Sequence, residues 1–158
     1  MKYVIKQTET DINVFDEKGL VLIIKTKLFF SGKFQLEFYY QGEFVLSTSY
    51  FMIGFWKIIR IHYQKLPYQV SLKSSWFKNI MIVNNDNYTL KWNYLKSLTC
   101  IVKKNGTPVA TLYTKKTLKW YFSNSNTGDT FFNVNDSTEK NDFLCLLRLL
   151  IEYPTFYS

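Results

Sequence analysis

Apolar and polar positions alternate in short runs along most of the chain, and only near its end do apolar residues fuse into one long stretch. Alternation with a period of two marks half-buried strands. Such runs occur at Tyr3–Lys6, Ile12–Phe15, Leu20–Lys25, Phe34–Tyr39, Phe44–Thr48, Trp56–Tyr63, Tyr68–Lys73, Ile80–Val83, Tyr88–Trp92, Thr99–Lys103, Val109–Tyr113, Leu118–Phe122 and Thr130–Val134. The pattern therefore predicts about a dozen strands. Turn residues separate them: Asp16-Glu17-Lys18-Gly19, Gln41-Gly42-Glu43, and Asn105-Gly106, the clearest two-residue hairpin signal in the chain. Asn84–Asn87 and Ser123–Asp129 read as polar loops.

The C-terminal stretch differs in kind. Asp136-Ser137-Thr138-Glu139 places an N-cap acceptor three residues ahead of a glutamate, a capping-box pattern, and predicts a helix over about 138–153 that ends before Pro154. Seven of the eight residues from Leu144 to Ile151 are apolar, and only Asn141, Arg148 and Glu152 trace a narrow polar stripe. A helix apolar on nearly every side must be surrounded. One buried helix after a dozen strands predicts a mostly β fold: a closed antiparallel barrel of about 12 strands wrapped around the C-terminal helix. A helix of about 15 residues spans roughly 22 Å. Tilted strands of 6 to 8 residues give a barrel roughly 15–20 Å tall, and about eight strands would leave no room for a helix inside. The alternative is an α+β domain whose sheet packs one face on the helix. With no linker in the pattern, residues 1–158 read as one domain.

Composition narrows the function classes. The 158 residues are 47% hydrophobic, enough to bury a core and to exclude disorder. Aromatics reach 19%, and most of them are needed to line a barrel and cover its helix. Two cysteines exclude a disulfide scaffold and a four-thiolate zinc site, and Cys100 and Cys145 read as buried reduced thiols, with a bridge as the alternative. The N-terminus shows no signal-peptide pattern, and the most apolar window, Phe44 to Ile61, is broken by Lys57 and Arg60. The expected location is cytoplasmic, with peripheral membrane association as an option.

The order of strands and helix resembles the tubby C-terminal-like fold, shared with LURP-one-related proteins and phospholipid scramblases. Two stretches carry the resemblance. Val14-Phe15-Asp16-Glu17-Lys18-Gly19-Leu20-Val21-Leu22 is similar to that superfamily's opening V-x-D-x-x-G hairpin, and Asn141 to Ile151 resembles its closing Asp-led hydrophobic helix. Tyr50 to Asn93 carries no counterpart. The resemblance implies a non-enzymatic protein, and the eukaryotic tubby domains bind phosphoinositide head groups through surface Lys and Arg. Their lysine-x-arginine signature has no copy here, since Lys57 and Arg60 are three apart and point to opposite faces of a strand.

Candidate chemistry is sparse. His62 is the sole histidine, the glycines are scattered singly, and no metal-ligand spacing occurs, so neither catalysis nor a cofactor is expected. A pairing of His62 with Cys100 or Cys145 is the one enzymatic arrangement to weigh. Cys145 lies mid-helix, where burial makes a thiol inert.

The net charge of +8 points to an acidic partner. Lys25, Lys27 and Lys33 flank Leu28-Phe29-Phe30. Lys103 and Lys104 adjoin the Asn-Gly turn, and Lys115, Lys116 and Lys119 precede Trp120-Tyr121-Phe122. These eight lysines are the candidate anion-binding residues, with Lys25 and Lys27 on one strand face. Lysines beside aromatics suit an anionic membrane surface. An accessory or inhibitor module for an acidic protein is the alternative. Without a recognised motif, nucleic acid is not expected.

Overall fold

The computed structural model describes residues 1–8, 10–29, 33–53, 56–75, 78–93, 99–114 and 130–152. Among them are twelve strands and one helix: β1 (Lys2–Gln7), β2 (Asp11–Asp16), β3 (Gly19–Leu28), β4 (Phe34–Tyr40), β5 (Glu43–Ile53), β6 (Trp56–Gln64), β7 (Val70–Ser74), β8 (Asn79–Val83), β9 (Asp86–Asn93), β10 (Thr99–Lys104), β11 (Thr107–Thr114), β12 (Thr130–Val134) and α1 (Glu139–Glu152). Each corresponds to an apolar run read from the chain. The thirteenth run, Leu118–Phe122, lies outside the described residues, as do the Ser123–Asp129 loop and Lys115, Lys116 and Lys119.

The strands form one antiparallel sheet in the order β6-β5-β4-β3-β2-β1-β12-β11-β10-β9-β8-β7. It curls into a nearly closed barrel around α1, in which every residue from Asp142 to Ile151 is buried. Inward positions alternate strictly along the best-formed strands. Ile12 and Val14, Leu22 and Ile24, and Leu36 and Phe38 all meet the helix side of the sheet. This is the helix-filled barrel that the apolar circumference of α1 demands.

Local turn chemistry sets the strand register. Gln41-Gly42, Asn84-Asn85 and Asn105-Gly106 are two-residue turns with positive φ at both positions (49° and 84°, 47° and 71°, 48° and 86°). That geometry matches the twist of the strands they join and favours Asn and Gly. The Asn84–Asn87 stretch is accordingly tighter than a loop: two residues turn, and Asp86 already starts β9. At the Asp16–Gly19 turn, Asp16 Oδ1 accepts the backbone N–H groups of Lys18 (2.7 Å) and Gly19 (3.0 Å). The helix cap also differs from the capping-box reading. Thr138, not Asp136, is the N-cap: its Oγ1 accepts from the N–H of Asn141 at 3.2 Å, while Asp142 N–H donates to the Thr138 carbonyl.

Two places interrupt the hydrogen-bond ladder. Between the outermost strands β6 and β7 the Gln64 side-chain amide stands in for a strand, accepting from Val70 N–H (3.0 Å) and donating to the Val70 carbonyl (3.3 Å). Between β8 and β9 the pairing stops at Met81–Tyr88. The Arg148 guanidinium fills the opening, donating to the carbonyls of Tyr88 (3.2 Å) and Asn79 (2.7 Å). The polar stripe of the helix is thus internal: Arg148 is 1% exposed.

Candidate anion-binding groove

The described lysines of the predicted set do not form one cluster. Lys25 and Lys27 do share the outer face of β3, as the period of two predicts. Lys27, however, is bonded to Glu37 at 2.8 Å, and the Lys25 ammonium lies 5.1 Å from the centre of the Tyr39 ring. The Lys27 ammonium holds Glu37 below the usual carboxylate range, so this pair is largely self-neutralised. Lys104 pairs with Asp86 at 2.8 Å beside the inward-facing Tyr88. Lys103 falls on the opposite face of β10 and is half-buried.

Lys33 stands apart from these. It precedes β4, and its carbonyl accepts the N–H of Phe29 at 2.9 Å, which ties together the two ends of the β3–β4 connection. With Ser49, Phe51, Ile58 and Arg60 it lines an outer-face groove of about 320 Å³. Neither Lys33 nor Arg60 has a carboxylate partner among the described residues. The groove therefore carries two uncompensated cations and no acid. Phe51, one of its lining residues, is 43% exposed, and Phe29, bonded through its backbone to Lys33, is exposed as well.

Arg60 reaches this groove because β6 presents alternate residues outward. Lys57 turns the other way, with its ammonium 5.3 Å from the centre of the buried Tyr50 ring. The two residues do take opposite faces, as their spacing predicts. The sequence spacing does not reveal the role of Arg60, because the cation that shares its groove is Lys33, across β5, rather than a neighbour on its own strand.

A β-bulge shapes the rest of the site. The β5–β6 register steps from Ser47↔Tyr63 to Thr48↔Ile61, which leaves His62 as the extra residue of β6, while Ser49 pairs with Arg60. His62 sits on the outer face with Nε2 2.6 Å from Ser49 Oγ. Ser49 is 3% exposed, at the base of the groove. No thiol approaches this histidine's role: Cys100 and Cys145 are buried and unbridged, and burial pushes both thiols up to about 12.

A second, larger cleft of about 730 Å³ lies at the barrel end where α1 enters. Tyr40, Tyr68 and Phe143 wall it, with Lys140 lying over the Tyr68 ring and Glu139 beside it. Unlike the Lys33–Arg60 groove, its lining includes a carboxylate, Glu139, alongside Lys65 and Lys140. Among the described residues no cluster of His, Cys, Asp and Glu is arranged to hold a metal ion, and no helix is long and apolar enough to cross a membrane. The chain matches no protein-family model, no curated protein and no solved structure.

Proposed function

We propose that this protein is a non-catalytic binding module of the tubby-like kind that holds an anionic group, of the phosphate class, between Lys33 and Arg60. The carrying observation is that this groove alone, among the sites of the described lysines in the predicted set, pairs two cations without an acid. A guanidinium offers a fork of donors to a tetrahedral oxyanion, and an ammonium adds a point charge. The exposed Phe51 in the groove and Phe29 bonded to the Lys33 backbone favour a membrane head group as the source of the anion, because apolar side chains gain by entering the interface while lysines gain from anionic lipid. Association would then be peripheral. The helix-filled twelve-strand barrel supports the tubby-like assignment.

Vesicle co-sedimentation tests the reading. Vesicles containing phosphatidylserine or phosphoinositide should sediment the protein, and pure phosphatidylcholine vesicles should not. Lys33→Glu with Arg60→Glu should weaken binding roughly twentyfold or more, at about 1 kcal/mol for each basic residue near the surface, while Lys27→Gln should change it little. Equal binding to neutral and acidic vesicles rejects the proposal. Binding of inorganic phosphate, lost in the Lys33→Glu/Arg60→Glu variant, without any vesicle binding would assign the groove to a soluble anion instead.

A further inference from the structure

We propose that the mouth of the barrel, where α1 enters, holds a small organic amine, with its ammonium head on Asp142 and its apolar body against Tyr40 and Phe143. The site is separate from the Lys33–Arg60 groove and takes a ligand of the opposite charge.

A well of about 440 Å³ opens there between β1, the β2–β3 turn and the first turn of α1. Tyr3, Asp142, Phe143 and Leu146 form its buried floor, and Lys18, Gln41 and Glu139 are exposed at its rim. Two local devices put acid here. Asp16 leads the β2–β3 turn because its side chain caps the N–H groups of Lys18 and Gly19. Glu139 and Asp142 stand in the first turn of α1, where the positive end of the helix dipole favours carboxylates. The barrel then brings turn and helix together. Asp16, Glu139 and Asp142 line one well, and none of the three forms an ion pair among the described residues. This gathering of acid stands in a chain whose net charge is +8.

Asp142 makes the cluster a site. It is 3% exposed, and its Oδ2 accepts from the hydroxyls of Tyr3 and Ser137, both of which also line the well. Its Oδ1 has no hydrogen-bond partner. A buried carboxylate oxygen without a donor is costly. Water would offer it a donor without a charge, whereas an ammonium brings both. The two phenols of the well show the sign of the local field. Burial, then Asp142, Tyr40 and Asp16, raise the Tyr3 pKa, and burial, then Glu139, Asp142 and Asp16, raise that of Tyr40. Every group acting on these phenols acts in the same direction. The positive groups of the lining are placed where they do not reverse it: the Met1 amino group donates to the Val134 carbonyl at 3.1 Å, and Lys18 lies on the exposed turn.

The neighbouring 730 Å³ cleft sets the other half of the ligand. Tyr40, Glu139 and Phe143 line both spaces, and the Tyr40 and Phe143 rings lie 4.7 Å apart at a tilt of 59°. An ammonium gains from an aromatic face as well as from a carboxylate, and an apolar body gains from both rings. A metal ion would use neither ring, and among the described residues no cluster of His, Cys, Asp and Glu is arranged to hold one. The matching ligand is therefore an amine with an aromatic or branched apolar body.

Calorimetric titration at neutral pH with phenethylammonium tests the proposal, against phenethyl alcohol, which has the same body without the charge, and phenylacetate, which has the opposite charge. The amine should bind about tenfold or more tightly than the alcohol, the margin of one charge-assisted hydrogen bond, and phenylacetate should not bind. Shifts in the amide NMR spectrum should centre on Tyr3, Tyr40 and Phe143. Asp142→Asn should abolish the preference for the amine over the alcohol. Because Asp142 also supports the fold, the double variant Asp16→Asn/Glu139→Gln provides a second reading: the asparagine keeps the acceptor that the turn needs, and the amine should bind several-fold more weakly. Absence of amine binding, equal binding of amine and alcohol, or amine binding unchanged in the double variant each overturns the proposal.

Discussion

The helix buries one charge near each end, and the two are accommodated by different means. Asp142, in the first turn, is 3% exposed, and its Oδ2 accepts hydrogen bonds from the hydroxyls of Tyr3 and Ser137, each at 2.6 Å. The positive end of the helix dipole adds to that support. Arg148, two turns further on, is 1% exposed and meets no hydroxyl. It donates to two strand carbonyls and to Glu152 at 2.8 Å. Each charge keeps one atom without a hydrogen-bond partner among the described residues, Asp142 Oδ1 and Arg148 Nη1. The difference is one of architecture. At the first turn the barrel supplies donors to an anion, and removing the anion would leave two hydroxyls that can rotate. At the other end the helix supplies donors to the barrel, at the point where β8 parts from β9. Arg148 is thus a latch between helix and sheet, whereas Asp142 is an anchor held by its surroundings.

The largest expected effect follows from the latch. Arg148→Met should cost about 3–5 kcal/mol, because Glu152 and two buried carbonyls lose their donor together. The double variant Arg148→Met/Glu152→Leu should recover part of that loss in urea unfolding, since it also removes the carboxylate that has lost its 2.8 Å arginine contact. A double variant no more stable than the single would place the whole effect on the Asn79 and Tyr88 carbonyls, and would break the ion-pair half of the account.

Tyr3→Phe probes the anchor. The hydroxyl that bonds Asp142 disappears, but Ser137 continues to donate, so the expected loss is about 1.5–3 kcal/mol, the range for a hydrogen bond to a charged group. Burial, and after it the hydrogen bond to Asp142, raises the Tyr3 pKa. The Tyr3 phenol should therefore stay protonated in alkaline solution where exposed tyrosines ionise, which ultraviolet difference titration of wild type against Tyr3→Phe will show. A loss as large as that of Arg148→Met would erase the distinction between anchor and latch.

Sequence reading succeeds where the physics is local. Twelve strands are legible because side chains alternate with a period of two. The Asn105-Gly106 hairpin is legible because few residues adopt two successive positive φ angles. The apolar circumference of α1 predicts its enclosure without any partner being known. The functional grouping depends instead on contacts remote in the chain. Tyr3 and Asp142 are 139 residues apart, and Arg148 reaches carbonyls 60 and 69 residues away. The Lys33–Arg60 groove needs a register across β5, and the aim of His62 needs a bulge, neither of which shows in composition or spacing. Charge counting found Lys33 but also gathered Lys27 and Lys104, whose carboxylate partners only the sheet reveals. Thr138 displaced Asp136 as the cap because helix ends are decided by one or two residues.

The smallest effect concerns Lys57, whose titration lies at the latch end of the barrel. Burial lowers the Lys57 pKa from 10.5 to about 8, partly offset by Glu152 and reinforced by Arg148. A lysine depressed in the fold keeps its proton longer in the unfolded chain, so between pH about 8 and 10.5 unfolding takes up a proton and stability rises with pH. The buried thiols act in the opposite sense. Raised from 9.0 to about 12, they keep protons that the unfolded chain releases, which lowers stability above pH 9.0. A single pH profile of wild type therefore mixes the two, and the informative quantity is the difference from Lys57→Met, in which the thiol part cancels. The variant should be the more stable protein below pH about 8, by roughly half a molar in urea midpoint for a side chain only partly enclosed, and the gap should close as the pH approaches 10.5. A gap constant with pH would mean that Lys57 is not held charged at a cost inside the barrel.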